Sequence, residues 1–490
     1  MYYLGIDLGT SSVKILATDS NNQIVAEVTK EYPVYFPQDK WAQQDPTDWW
    51  TQTKAAIREL IESGKIQGDK VSAISFSGQM HGLVALNEKN EVLTPAILWC
   101  DQRTEVECDE ITEFFGSEKL SQLTGNKALT GFTAPKILWV KKNLPEIFSQ
   151  IRHIMLPKDY ISFCLTGEYS TDVSDASGML LLDVKNRKWS GEMLDFIGIS
   201  EAMLPKLFES FEAVGTVCPE VALELGLTDK VIVAAGAGDQ AAGAVGTGTV
   251  SEGIVSVTLG TSGVVFAAHE QYAVDQENRL HAFCHANGKY HSMGVMLSAA
   301  NCLKWWVESV VKDQEFNALL AEAQESEMDE KVLFLPYLMG ERTPYSDPDA
   351  KGAFVGMTMN SERGSLTRAV LEGVSFGLRD SLEILKDIQV PIREIRVIGG
   401  GAKSPLWKQI LADIFKAPIQ EINTNQGGAL GAAILAATAA GHFASVEEGC
   451  SKMIRIVSTV EPIEANCEAY DRKYKKYQAL YPALQAWYKL

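Results

Sequence analysis

One short pattern occurs twice in this chain, about 250 residues apart, and it limits the possible folds more than any other feature. The apolar run at residues 2–6 leads into Asp7-Leu-Gly-Thr-Ser-Ser12, followed by Val-Lys-Ile-Leu-Ala at 13–17. Gly-Ile-Val-Ser-Val at 253–257 leads into Thr258-Leu-Gly-Thr-Ser-Gly263, followed by Val-Val-Phe-Ala-Ala at 264–268. Each copy reads as strand, Gly/Thr/Ser turn, strand. Chance could repeat Leu-Gly-Thr-Ser, but β-rich flanks in both places favour two related domains. At 490 residues, each half is long enough to bury its own core. The division is predicted as 1–246 and 247–490, at the Gly- and Thr-rich hinge segment 245–252.

Strand and helix patterns alternate between the hairpins, for example a strand at 71–76 and a helix at 134–142, so the expected class is α/β. The second half adds a strand at 395–398, the turn Gly399-Gly400-Gly401, and a helix starting at Ser404-Pro405, where Ser caps and Pro opens the first turn. Residues 422–446 lack Asp, Glu, Lys and Arg but are mostly small, which suits a closely packed helix rather than a bilayer span. Near the end, Tyr470, Tyr474, Tyr477, Tyr481, Leu484 and Trp487 recur at helical spacing as a packing face, with Arg472, Lys473, Lys475 and Lys476 assigned to its solvated side.

Sixty-three acidic against 44 basic side chains give a net charge of −19, which repels phosphate backbones and anionic membrane surfaces. Nucleic acid and membrane are therefore not expected partners. A nucleotide would have to be held by backbone N–H groups, helix N-termini or a metal. The eight cysteines are scattered with no C-x-x-C pair, as free thiols in a reducing compartment, and no secretory segment leads the chain, so a cytoplasmic location is expected.

The first hairpin suits a phosphate ligand. Gly9 permits close approach, Thr10, Ser11 and Ser12 offer hydroxyls and N–H groups, and Asp7 could hold Mg²⁺ through water. The plain alternative is a β-turn in which Asp7 satisfies its own backbone. A second copy strengthens the functional reading, since facing hairpins would supply donors from both sides of a triphosphate. Gly399-Gly400-Gly401-Ala402 would let a flat ring or ribose lie against bare backbone; a P-loop would need Gly where Val397 and Ala402 stand. Gly427-Gly428 could form the other wall, although plain helix packing explains those residues better.

Asp239, just after the apolar residues 231–235 and two glycines, is the strongest catalytic candidate: it could accept the proton of a hydroxyl attacking a phosphoryl group. Its bland alternative is a helix N-cap. An aspartate ordinarily ionises near 3.9, so Asp239 is expected to be charged at neutral pH and to gain only alignment from a cleft. Gly236-x-Gly238-x-x-Ala241 also fits a dinucleotide turn, but Asp239 would then oppose the pyrophosphate and no acidic residue closes the following strand. Gln79-Met80-His81-Gly82 and Trp99-Cys100-Asp101 combine polar groups with an apolar floor, as a sugar pocket requires. His281, Cys284 and His285 lack a further ligand pair and are assigned to packing.

Taken together, these segments resemble the FGGY carbohydrate kinases of the actin/hexokinase superfamily over nearly the whole chain. Residues 7–12 are similar to that family's first phosphate loop, Gly131-Phe-Thr-Ala-Pro-Lys136-Ile-Leu-Trp139 to its first signature, residues 258–263 to its second phosphate loop, and residues 399–402 to its adenosine motif. Gln79-Met80-His81-Gly82, Trp41-x-x-Gln44-Asp45-Pro46 and Trp99-x-Asp101 are similar to the xylulokinases of the family.

The resemblance implies two ribonuclease-H-like domains around a deep cleft and ATP-dependent phosphorylation of D-xylulose, with Mg²⁺. It makes Asp239 the general base, and Gln79, Met80, His81, Trp99, Asp101, Asp239 and Gln240 sugar contacts. It makes Thr10, Ser11, Lys14, Gly260, Thr261, Gly400, Gly401 and Ala402 nucleotide contacts, and Asp7 the Mg²⁺-linked carboxylate; Lys14 stands where some relatives have Arg. Homodimers are common among such relatives, and no segment here identifies an interface. A kinase for another ketose or polyol is the first competitor, and a non-catalytic ATP-gated actin-like binding module the second.

Overall fold

Buried positions alternate with more exposed ones along much of residues 2–31, the pattern of a sheet with one face on a core. They form β1 (Tyr2–Leu8), β2 (Ser12–Asp19) and β3 (Ile24–Glu31), successive antiparallel strands. The structure, a computed structural model, describes residues 1–312, 316–326, 328 and 330–490. Helix α1 (Pro46–Glu62), capped by the Asp45 side chain, leads to β4 (Val71–Gly78), parallel to β1. A long excursion carrying α2 (Thr133–Asn143), α3 (Pro157–Thr166) and α4 (Val173–Ala176) returns to β5 (Ala213–Thr216), β6 (Ile232–Ala234), β7 (Ala237–Gly238) and α5 (Asp239–Gly246). The sheet order is β5-β6-β4-β1-β2-β3, with β7 also on β4.

The second half repeats this plan. It contains β8 (Ile254–Leu259), β9 (Gly263–His269), β10 (His281–Cys284), β11 (Tyr290–Met296), α6 (Arg363–Asp387), β12 (Glu394–Ile398), α7 (Pro405–Phe415), β13 (Ile419–Ile422), α8 (Gly427–Ala439), β14 (Ile456–Val460) and α9 (Glu464–Gln478). The order is β10-β11-β9-β8-β12-β13-β14. Strand by strand, β8, β9, β11, β12 and β13 correspond to β1, β2, β3, β4 and β6. The senses agree as well: the first pair is antiparallel, and the two crossovers β1–β4–β6 and β8–β12–β13 are parallel. An antiparallel edge strand, β5 or β14, closes each sheet. The repeat seen in the hairpins therefore extends through both sheets, and the architecture is the expected α/β pair of ribonuclease-H-like domains.

Two features join the halves. Helix α8 leaves the second sheet and lies against β1 and α5 of the first: a Cβ added at Gly431 would stand 1.8 Å from the Ala242 carbonyl oxygen, so only glycine fits. The Ala-rich stretch is thus a packed helix between halves, and no helix among the described residues is long and apolar enough to cross a membrane. On the other side, Met80, Phe132 and Met179 share a buried cluster with Phe266, Phe283 and Met293 of the second half.

Tyr470, Tyr474, Tyr477 and Tyr481 are buried as expected. Two tail assignments are corrected. Lys473 is 2% exposed and pairs with the buried Glu372 at 2.5 Å, and Trp487, past the end of that face, is 62% exposed. His281, Cys284 and His285 are buried among aromatic rings, and all eight cysteines are free thiols.

Candidate active site

The carboxyl ends of β1 and β4 in the first sheet meet the residues that follow β13 of the second, where Gly428 packs on Asp7 and Ser77. In the first sheet, β1 ends at the turn 9–11, and β7 ends where α5 starts with Asp239. In the second, β8 ends at the turn 260–262, β12 at Gly399-Gly400-Gly401, and β13 is followed by Gly427 and Gly428. Gly401 packs on Leu259, the last residue of β8, and Gly428 packs on Asp7 and Ser77 of the first half, where an added Cβ would lie 2.9 Å from Asp7 Oδ1 and 2.4 Å from Ser77 Oγ. Carboxyl ends of parallel strands are where open α/β sheets bind ligands.

Each hairpin turn is held by its own backbone: Gly9 N–H donates to Ser12 O at 2.9 Å, and Gly260 N–H to Ser262 O at 3.1 Å. Ser11 and Thr261 are exposed at the tips. In the first turn, Tyr32 OH donates to Gly9 O, and Gln44 Nε2 to Thr10 O at 2.7 Å. In the second, the N–H groups of Ala299 and Ala300 donate to Thr261 O and Gly260 O at 2.9 and 2.8 Å. Lys14 is turned to Gln426 and to Glu27, 3.2 Å away, so in this arrangement its ammonium serves a junction between the halves. Asp7 Oδ1 accepts from Ser77 Oγ at 2.7 Å. Burial pushes the Asp7 carboxyl above the usual carboxylate range, against the Ser77 hydrogen bond and the charge of Lys14.

Asp239 is the first residue of α5, after the Gly238 cap. Burial and the negative charge of Asp7 push its carboxyl up to about 7, against hydrogen bonds from the Gln240 side chain and backbone. This corrects the expectation of an ordinary, fully ionised aspartate: at neutral pH the cleft leaves Asp239 balanced between its two protonation states. Two half-buried carboxylates, close enough that the charge of Asp7 raises Asp239, fit a divalent cation held largely by water and phosphate oxygens. Among the described residues, no group of three or more His, Cys, Asp or Glu could hold a metal by itself.

Met80 lies against Gly238, where an added Cβ would be 2.9 Å from Met80 Cγ. His81 adopts a left-handed backbone, φ 70°, and its carbonyl accepts from Lys136 Nζ at 2.9 Å and Thr133 Oγ1 at 3.1 Å. Its Nδ1 meets Gly178 O, and its ring stands 4.9 Å from that of Phe132. Burial, then the nearby Lys136 charge, pull the imidazole down to about 3 despite the Gly178 hydrogen bond, so it is neutral. Burial also pulls Lys136 down to about 7. Gln79 donates to Gln44 at 3.0 Å while its own Oε1, buried, has no partner among the described residues. Trp99, 42% exposed, donates through Nε1 to Thr10 Oγ1 at 3.0 Å, tying its segment to the first hairpin turn.

Asp101 differs from expectation. Its carboxylate is fully buried and spent on Arg103, 2.6 Å from Nη2, and on the Ala42 N–H at 2.7 Å. Arg103 in turn stacks over Trp41 at 3.6 Å. Asp101 therefore supports the pocket wall instead of facing the opening.

A cavity of about 430 Å³ opens beside the second turn, within the size range of small-molecule sites. Gly400 and Gly401 form one wall, while Ala402 lies behind them in the core. The opposite wall, Leu303 with Phe316, Asn317, Leu320 and Gln324, was not anticipated. Its one sequence signal is the apolar spacing of helix Phe316–Glu325, which reads equally as core. Sequence reasoning also passed over Gly178 and gave Lys136 no role of its own.

The chain is similar to known proteins along nearly its whole length. It matches the profiles of the FGGY family of carbohydrate kinases, N-terminal domain, over residues 2–246, and C-terminal domain, over residues 255–440. It is 39% identical to the xylulose kinase of Bacillus subtilis (strain 168) over 482 residues, covering 98% of this chain and 96% of that one. It is 40% identical to the xylulose kinase of Escherichia coli (strain K12) over 478 residues, covering 97% and 96%. Among solved structures, one described as a xyloylose kinase from Brucella ovis aligns with a TM-score of 0.94 at 41% identity, over 99% of this chain and 100% of the other.

Proposed function

The chain belongs to the FGGY family of carbohydrate kinases, and on that premise we propose that it phosphorylates D-xylulose at its terminal hydroxyl, with Asp239 as general base. ATP-dependent sugar phosphorylation follows from the family itself. The choice of xylulose rests on full-length similarity to named xylulose kinases and on Met80 beside Gly238 with His81 beside Gly178.

In this reading the sugar lies between Met80 and the neutral His81 ring, with its reactive hydroxyl at Asp239. The nucleotide base occupies the 430 Å³ cavity against Gly400 and Gly401, and the phosphates reach the two turns through Thr10, Ser11, Gly260 and Thr261. Asp7 would hold Mg²⁺ through water, and the ion would supply charge neutralisation for the phosphates. The sugar oxygen forms its bond to the γ-phosphorus as the bond to the ADP oxygen breaks, and the hydroxyl proton passes to the Asp239 carboxylate. Enclosure between the halves keeps water from taking the place of the hydroxyl. A boundary at 246/247, between α5 and β8, belongs to the same proposal.

The single observation that carries the mechanism is the placement of Asp239 at the first turn of α5, with its pKa pushed up to about 7, since a base works best near the working pH. A coupled ADP-release assay over a sugar panel, run with wild type and Asp239→Asn, tests both parts. Xylulose should give the highest kcat/KM. If glycerol, ribulose or gluconate performs as well, the substrate assignment falls and the kinase class stands.

A further inference from the structure

The segment 172–178 carries no motif, yet it contacts the residues just before the proposed base and beside the proposed sugar site. Asp172 is fully buried and makes an ion pair with the equally buried Lys158 at 2.9 Å. Its other oxygen accepts from Ser174 N–H at 2.8 Å, Ser174 Oγ at 2.5 Å and Ser210 Oγ at 2.7 Å. Ser174 Oγ, with its own proton committed to Asp172, accepts the Gly238 N–H at 3.2 Å, and Gly238 is the residue before Asp239. Four residues on, Gly178 O receives Nδ1 of His81 at 2.7 Å, while Ser177 Oγ accepts the Cys284 N–H of the second half at 3.0 Å.

We propose that residues 172–178 are a positioning platform for phosphoryl transfer, in which Asp172, anchored by Lys158, sets the Ser174 hydroxyl and Ser174 holds the N–H of Gly238, the residue that leads into Asp239. The platform rests on the reading of Asp239 as the base. Its physical basis is that buried, charge-assisted hydrogen bonds in a low dielectric are stiff, and a misplacement of about 1 Å at a reacting group costs on the order of 10²-fold in rate. Ser174 touches neither sugar nor nucleotide in this scheme, so it is a positioning residue.

A double-mutant cycle on the full-length enzyme tests the platform. Ser174→Ala removes the acceptor of the Gly238 N–H; kcat should fall roughly tenfold with the sugar KM within about twofold of wild type. In the Asp239→Asn background the same change should cause no further loss, because there is no carboxylate left to aim. Equal fold-losses in both backgrounds would mean general damage to the fold and overturn the proposal, as would a Ser174→Ala enzyme with wild-type kcat. Should Ser174→Ala not fold, Ser174→Cys, close in volume and a weak acceptor, enters the same cycle with the same two outcomes. A fully active Asp239→Asn enzyme would instead remove the base assignment, a failure separate from that of the platform.

Discussion

The imidazole Nδ1 of His81 stands 2.7 Å from the carbonyl oxygen of Gly178, and this contact decides which ring nitrogen carries the proton. A carbonyl only accepts, so Nδ1 donates and Nε2 keeps its lone pair for a ligand hydroxyl. Replacing His81 by Ala should raise the sugar KM by about 10–100-fold, the loss of one well-placed polar contact, while leaving the ATP KM nearly unchanged. Because the ring pKa is pulled down to about 3, His81 itself should add no titration to the sugar KM between about pH 5 and 8, where an ordinary histidine would titrate, and any limb there belongs to Asp239 or Lys136. Steady-state kinetics across pH measures both.

Asp239 should give the acid limb of the rate profile. Its carboxylate form is the base, so kcat/KM for the sugar should rise with pH and level off above about 7. An acid limb near 4 would mean that neither burial nor the charge of Asp7 raises it in the free enzyme.

The same shift predicts a stability effect. In the unfolded chain Asp239 would ionise near 3.9, so between that value and about 7 the folded state binds the extra proton. Stability contributed by this group is therefore present at low pH and lost as pH rises through that window. Asp239→Asn, while lowering kcat by about 10²–10⁴-fold, should stabilise the ligand-free protein by roughly 1–3 kcal/mol at pH 8 and much less near pH 4. Thermal melts of both proteins at the two pH values check the sign.

Gly400 separates nucleotide binding from folding. Its backbone is helical, φ −62°, and an added Cβ would meet no atom of the described residues within 4 Å, so Gly400→Val should melt close to wild type. The side chain would enter the cavity and raise the ATP KM about tenfold, an overpacking cost of about 1.4 kcal/mol, without changing the sugar KM. An unchanged ATP KM would place the nucleotide elsewhere.

Gly428 makes the opposite case. A methyl group there would push against Ser77 Oγ and Asp7 Oδ1, so Gly428→Ala should cost about 1–3 kcal/mol in stability and lower kcat as well. Chemical denaturation and turnover should both register the change, unlike at Gly400.

The sequence by itself determined the elements whose cause is local. Both hairpins, the Ser404–Pro405 helix start, where Ser404 Oγ accepts the Trp407 N–H at 3.3 Å, and the buried tyrosine face of α9 follow from turn chemistry, capping and periodicity. The twofold recurrence of strand, turn and strand was enough to anticipate two similar sheets, because a repeated pattern imposes repeated pairing. Tertiary structure alone decided the rest, since charge state and contact depend on groups distant in the chain. Asp239 differs from any exposed aspartate because Asp7, 232 positions earlier, shares its enclosure. Asp101 lost its expected place in the opening because Arg103 and Ala42 N–H claimed its oxygens, and Lys473 went inside because Glu372, on another helix, compensates its charge. Segment 172–178 carried no signal, because what it does is made only when Lys158, Gly238 and His81 meet it in space.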